Sequence, residues 1–152
     1  VLENAAIGAH LRGKKGVVAS AWRLDRAEEA SLLAEAAKQL QRVGLGDYLH
    51  TEAGSLALGQ QRILEIARAL ATNPSFLIMD EATSALDPTA EKIVMDNIKK
   101  RGCTCLIVAH RLSTIIDCDE IIVMEFGKIV ERGSHQKLLS LNGAYSQLIA
   151  TK

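Results

Sequence analysis

Two adjacent carboxylates, Asp80 and Glu81, close the apolar run Phe76-Leu77-Ile78-Met79. A buried strand that carries an acid pair at its carboxyl end can hold Mg²⁺ with one acid and orient a water molecule with the other. Asp80 is placed to bind Mg²⁺ through water, because that ion gives up its hydration shell reluctantly. Glu81 can accept a hydrogen bond from a water attacking a terminal phosphate. The next apolar run, Cys105-Leu106-Ile107-Val108-Ala109, ends at His110, which can donate to a phosphate oxygen and sense its presence. A lone acid or histidine more often caps a strand or satisfies a neighbour. The three in register are expected to converge on one sheet edge and to serve phosphate chemistry.

A second phosphate-binding feature precedes them in Leu56-Ala57-Leu58-Gly59-Gln60. The unpaired N–H groups and positive dipole end of a helix opening there suit an anion, Gly59 permits close approach, and Gln60 adds a donor. An ordinary helix start is the alternative reading. The segment from Gly8 to Lys15 fits the first seven positions of GxxxxGK[ST] but has Lys15 at the eighth, where a Mg²⁺-binding hydroxyl belongs. It also follows residues that read as helical, so it is rejected as a phosphate loop. Gly127-Lys128 fails in the same way.

The elements that must position these groups follow from periodicity. Asp25, with Glu28 three residues on, opens an amphipathic helix whose Leu33, Ala36, Leu40 and Val43 share a face before Gly44 and Gly46. A helix over 59–71 is stopped by Asn73-Pro74. A buried strand over 76–80 is followed by Asp87-Pro88 as cap and first-turn proline, and by a stripe of Ala90, Val94 and Ile98 ending at Gly102. Strand 104–109, a short helix over 111–117, and a hairpin of 120–125 with 128–131 turned at Phe126-Gly127 come next. Ser134 caps a helix to 139, and Asn142-Gly143 breaks it before a last helix over 145–150. Strands alternating with helices imply an α/β fold, a parallel sheet flanked by helices.

Totals bound the rest. With 152 residues and 48% hydrophobic content, one core is expected. Lys+Arg 18 against Asp+Glu 18 leaves no basic excess for a nucleic-acid groove. Cys103, Cys105 and Cys118 match neither a disulfide framework nor a zinc spacing and are read as reduced thiols, Cys105 packing as a small hydrophobe. No apolar run approaches the ~20 residues that span a bilayer, and no signal peptide is seen. The start at Val1 reads as a segment of a longer chain.

Taken together, Leu56–Gln60, Leu77-Ile78-Met79-Asp80-Glu81, Ala82-Thr83-Ser84-Ala85-Leu86-Asp87 and Ala109-His110-Arg111-Leu112-Ser113 resemble the nucleotide-binding domain of ABC transporters over essentially the whole chain. The resemblance implies a P-loop NTPase-like (RecA-like) parallel sheet with a helical subdomain, incomplete at the N-terminus because the phosphate loop (Walker A) is missing. Residues 1–72 would form the helical subdomain and signature helix, and 73–152 the catalytic core. It further implies ATP and Mg²⁺ as cofactors, Asp80 as metal-side acid, Glu81 as catalytic glutamate and His110 as switch histidine. Leu56, Ala57, Leu58, Gly59 and Gln60 would form the signature loop acting in trans, with Asp87 a dimer contact. Partners would be a second ABC ATPase domain, head to tail, and a transmembrane permease, with no nucleic acid. The domain would sit peripherally on the cytoplasmic face of the membrane.

Val1–Asn4, Ile7–His10 and Ser55–Arg62 resemble branched-chain amino-acid importer ATPases, whereas Glu81–Asp87, His110–Thr114, Gly127–Gly133 and Gly143–Tyr145 resemble exporter domains, including peptide and bacteriocin exporters, so a mosaic origin with its seam near Phe76–Asp80 is one hypothesis. Ala57 and Leu58 replace the usual serine and glycine of the signature, a loss of about 1.5–3 kcal/mol if one charged hydrogen bond goes. The leading expectation is the ATP-hydrolysing portion of an ABC transporter, with the isolated chain inactive without a phosphate loop. The alternatives are a non-enzymatic truncated or engineered half-domain acting as an interaction module, or a DNA-repair-type ABC ATPase. The third is disfavoured by the absence of long heptads and of basic excess.

Overall fold

The computed structural model describes residues 1–9, 26–109 and 111–150. The chain divides into two compact units, Val1–Leu106 and Ile107–Lys152. The expected Asp25 cap and residue His110 lie outside the described residues, as do positions 10–15 of the rejected phosphate-loop match.

In the first unit α1 (Leu2–Ala9), α2 (Arg26–Arg42) and α3 (Leu58–Ala71) pack against one another. The stripe read from the sequence of α2 is the face that packs: Ala36 and Leu40 are buried, with Val43 just beyond the helix. The opposing face of α3 buries Ile63, Leu64, Ile66, Ala67, Leu70 and Ala71. Fully burying one such Leu or Ile contributes about 1.5–3 kcal/mol. Helix α1 presents Ala5 and Ala9, both buried, and Gly8, where an added Cβ would overlap the Arg68 carbonyl of α3. Gly8 is thus a helical residue at a close helix crossing; the first glycine of a phosphate loop follows a strand instead.

Helix α2 ends as its glycine dictates. Gly44 adopts φ 84°, and the N–H groups of Gly44 and Leu45 donate to the carbonyls of Gln41 and Leu40 at 3.2 and 2.8 Å. This is a left-handed glycine cap of the Schellman type. Beyond α3, the Arg101 guanidinium donates to the carbonyls of Leu70 and Pro74 and to Asn73 Oδ1. That fork fixes the turn into the first strand, with Asn73 held at φ 56°.

Strand β1 (Phe76–Asp80) buries Leu77 and Met79 on one face only. A fully buried strand was expected, but Phe76 and Ile78 are 51% and 63% exposed. Helix α4 (Pro88–Arg101) then turns at Gly102, φ 80°, into β2 (Thr104–Val108). β1 and β2 are hydrogen-bonded neighbours. The Thr104 N–H donates to the Ser75 carbonyl at 3.1 Å, so the two strands begin side by side, which is a parallel arrangement.

The second unit holds α5 (Leu112–Ile115), β3 (Ile121–Glu125), β4 (Lys128–Gly133), α6 (His135–Leu141) and α7 (Ala144–Ala150). β3 and β4 form an antiparallel hairpin running from Ile121 opposite Gly133 to Glu125 opposite Lys128, with a bulge at Val123/Met124. Phe126 and Gly127 turn it, both at positive φ (49° and 75°), as a two-residue hairpin whose twist suits its strands requires. Among the described residues this hairpin forms a two-stranded sheet of its own. Its inner face packs Ile121 and Val123 on Leu138 and Tyr145. The Tyr145 hydroxyl lies 2.7 Å from His135 Nδ1.

Helix α7 starts one residue earlier than periodicity gave because the Glu131 carboxylate reaches from β4 to accept from the Ala144 and Tyr145 N–H groups, each at 2.9 Å. Gly143 is the residue that lets it in, since a Cβ there would overlap that carboxylate.

Candidate functional site

Asp80 ends β1 and Glu81 begins the turn after it, both exposed. Glu81 has φ 47°, a left-handed conformation that a non-glycine residue adopts only where its surroundings hold it. The turn supplies those restraints. The Ser84 N–H donates to the Glu81 carbonyl at 2.9 Å and the Leu86 N–H to the Thr83 carbonyl at 3.0 Å. Beneath them the buried Thr83 hydroxyl donates to Glu91 Oε1 at 2.6 Å. Glu91 is itself only 3% exposed and sits in the first turn of α4.

Asp87 closes the turn. Its Oδ1 accepts from the Thr89 and Ala90 N–H groups at 3.0 Å each, which makes it the N-cap of α4 ahead of Pro88. The capping half of the sequence reading is thereby seen directly.

The residues Leu56–Gln60 are assembled around the start of α3. Leu56 is buried and anchors the loop, while Leu58 is 66% exposed. Ala57 is the cap residue, and its methyl group offers no acceptor. Gln60 Oε1 accepts from the Ala57 N–H at 3.1 Å, and Gln61 Nε2 donates to the Leu56 carbonyl at 2.8 Å. Gly59 lies against the acid-bearing turn: an added Cβ would stand 3.3 Å from the Ala85 carbonyl oxygen and 3.5 Å from Leu86 Cδ2. The glycine thus lets the helix start and the turn that carries Glu81 pack edge to edge. Beside them, Arg62, Ile66 and Ala69 of α3 and Leu77, Met79 and Ala82 line a hollow of about 130 Å³.

Within the first unit, then, Gly59 meets Ala85 and Leu86 of the turn that runs from Glu81 to Asp87. Strand β2 ends at Val108, two positions before His110, which lies outside the described residues. Among the described residues no group of three or more His, Cys, Asp or Glu is gathered to hold a metal. A nucleotide-bound Mg²⁺ needs only one or two protein carboxylates, since phosphate oxygens and water fill its other positions. Exposed Asp80 with Glu81 beside it fits that donor set. No helix among the described residues is long and apolar enough to cross a membrane.

Sequence reasoning missed the Thr83–Glu91 bond and the backbone of Glu81. One signal was present: Glu91 falls on the same helix face as Val94, Met95 and Ile98, all buried, and an acid in an apolar stripe requires a buried donor.

The profile of the ABC transporter family matches residues 3–84, more than half of the chain. The chain therefore belongs to the ABC transporter family. It is 42% identical over 150 residues to the ATP-dependent lipid A-core flippase of Xanthomonas campestris pv. campestris, covering 97% of this chain and 24% of that protein. Against the leukotoxin translocation ATP-binding protein LktB of Mannheimia haemolytica the identity is 49% over 110 residues, covering 70% of this chain and 16% of that protein. Among solved structures, a bacterial Atm1-family ABC exporter with ATP bound superposes with a TM-score of 0.77 and 28% identity, over 99% of this chain and 25% of that one. The chain is thus homologous to exporter ATP-binding domains and spans a quarter or less of the length of these relatives.

Proposed function

We propose that this chain is the signature- and acid-bearing part of an ATP-hydrolysing domain that drives membrane transport. The observation that carries the reading is the packing of the α3 start, through Gly59, against the turn that holds Glu81 in its left-handed conformation. Residues 1–72 act as helical subdomain and signature helix, and 73–152 as catalytic core. Asp80 would hold Mg²⁺, which when bound neutralises charge on the β- and γ-phosphates. Glu81 accepts a hydrogen bond from the attacking water and orients it, and the Thr83–Glu91 bond keeps that acid in place. His110 donates to the terminal phosphate. The Leu56–Gln60 helix start offers its N–H groups to the phosphate of a nucleotide held by a second ATPase domain, paired head to tail, and Asp87 meets that domain.

Phosphoryl transfer is catalysed almost wholly by positioning and electrostatics, so a loop that neutralises the phosphates is indispensable. We infer that this loop comes from outside the 152 residues and that the isolated chain does not turn over Mg-ATP. The exporter relatives favour a domain working beside a transmembrane permease on the cytoplasmic face, in the direction of export. Phosphate release and calorimetry on the chain alone and on the chain joined to a phosphate-loop segment test the reading. The joined protein should hydrolyse ATP, and Glu81→Gln in it should stop hydrolysis while ATP stays bound. Hydrolysis unaffected by Glu81→Gln would refute the assignment. A joined protein that binds a partner domain but never hydrolyses ATP would favour the non-enzymatic module.

A further inference from the structure

Three cysteines play no part in the site just described, and two of them meet. Helix α4 ends at Gly102, Cys103 forms the joint, and Cys105 is the second residue of β2. Residues two apart on extended chain point to the same side. The alternation of burial agrees: Cys103, Cys105 and Ile107 are half-buried while Thr104 and Leu106 are exposed. The two sulfurs lean toward each other to 3.7 Å, and the Cys105 thiol also donates to the Cys103 carbonyl at 3.6 Å. Cys118 is differently placed, packed at the core of the second unit with its thiol donating to the Thr114 carbonyl at 3.7 Å.

We propose that Cys103 and Cys105 form a dithiol–disulfide pair that closes by exchange with a small-molecule disulfide and tethers the joint between α4 and β2. The sulfurs need approach by only about 1.7 Å to reach the ~2.05 Å of a disulfide bond. Two residues of extended chain span at most about 6.6–7.2 Å, beyond the ~5.5–6 Å usual for bridged Cα atoms, and bridged Cβ atoms stand about 3.5–4.5 Å apart, so closure requires the chain to bend at Thr104. Cys103 precedes the first strand residue, which leaves its backbone outside the β1–β2 ladder while that adjustment is made.

The thiolate of one cysteine attacks a sulfur of the reagent disulfide, giving a mixed disulfide and releasing one reagent thiolate. The thiolate of the other cysteine attacks the protein sulfur of that mixed disulfide, forming the Cys103–Cys105 bond and releasing the second reagent thiolate. The protein thiols give up two electrons, which reduce the reagent S–S bond, and two protons, which pass to solvent or to the released thiolates. With both thiols on one strand face, the second attack is intramolecular and outruns a second encounter with reagent.

Tryptic peptides separate the thiols cleanly. Arg101 and Arg111 bound a peptide holding Cys103 and Cys105, and Cys118 falls in the next one, ending at Lys128. The full 152-residue chain is equilibrated under native conditions with mixtures of reduced and oxidised glutathione, acid-quenched, digested and weighed. The 102–111 peptide should lose about 2 Da, the mass of two hydrogens, and carry no glutathione at equilibrium. Cys118→Ser should leave that result unchanged. Cys103→Ser should arrest the reaction with one glutathione on Cys105. The proposal is overturned if the wild-type peptide stays a dithiol in excess oxidised glutathione, if it carries glutathione at equilibrium, or if Cys103 or Cys105 bridges instead to Cys118 or to a second chain.

Discussion

Helices α3 and α4 begin on either side of the same turn, yet their first N–H groups are treated in opposite ways. At α4 the Asp87 carboxylate takes the N–H groups of Thr89 and Ala90, and Pro88 removes a further donor. At α3 the cap is Ala57, and Gln60 folds back onto the Ala57 N–H rather than onto the groups inside the helix. A helix start filled by its own carboxylate cannot also hold a phosphate, whereas one capped by an alanine keeps its donors and its dipole for an incoming anion. Helix α7 shows a third solution, a carboxylate brought from another element, since Glu131 of β4 takes its first two N–H groups.

Substitutions at these three helix starts sharpen the contrast. The largest change is expected for Glu131→Ala, which removes two charge-assisted hydrogen bonds and leaves two donors without them. A loss of about 2–3 kcal/mol should appear in urea unfolding. A loss below about 0.5 kcal/mol would show that the chain around Gly143 places α7 unaided. Asp87→Ala should cost about 1 kcal/mol, the usual value of an N-cap, with Asp87→Asn retaining most of it. Ala57→Asp should act with the opposite sign, stabilising the chain by up to about 1 kcal/mol. In the joined protein it should also weaken nucleotide-dependent pairing with a second domain, because the new carboxylate occupies the phosphate's place. Unchanged melting of Ala57→Asp would mean that the α3 donors are already satisfied, and the contrast would fail.

At neutral pH the smallest effect belongs to Tyr145, whose N–H is one of the two that Glu131 holds. Burial, and then the neighbouring Cys118 charge, raise the pKa of its phenol. The folded unit therefore keeps a neutral phenol where the unfolded chain ionises. Stability is full below the ordinary tyrosine range and falls as pH rises through the folded value. Melting curves taken into alkali should show that decline, and Tyr145→Phe should flatten it. An equal decline in the Phe variant would place the alkaline sensitivity elsewhere.

Most elements could be read from the chain because their signals are local. Ala36, Leu40 and Val43 recur at helical steps, Gly44 and Gly102 take the positive φ that ends a helix, and Phe126-Gly127 supplies the hairpin turn. The site was legible as a set of residue types: an acid pair at a strand end, a glycine opening a helix, an aspartate ahead of a proline. What failed was burial on the outer face of β1, since an apolar run states that a strand can be covered on both faces but not what covers it. Phe76 and Ile78 stand exposed in this chain, a patch expected to drive self-association, which light scattering at rising concentration would measure.

The sequence by itself determined which residues could do phosphate chemistry and which elements would carry them, because periodicity, caps and turns act over a few residues. Only the tertiary structure decided that Glu81 sits in a left-handed turn pinned by Thr83 and Glu91, that Gly59 is the contact between that turn and α3, and that Glu131 reaches across to start α7. Those facts depend on which side chains packing carries into reach of one another and on the last few tenths of an ångström in their approach, and no local pattern encodes either.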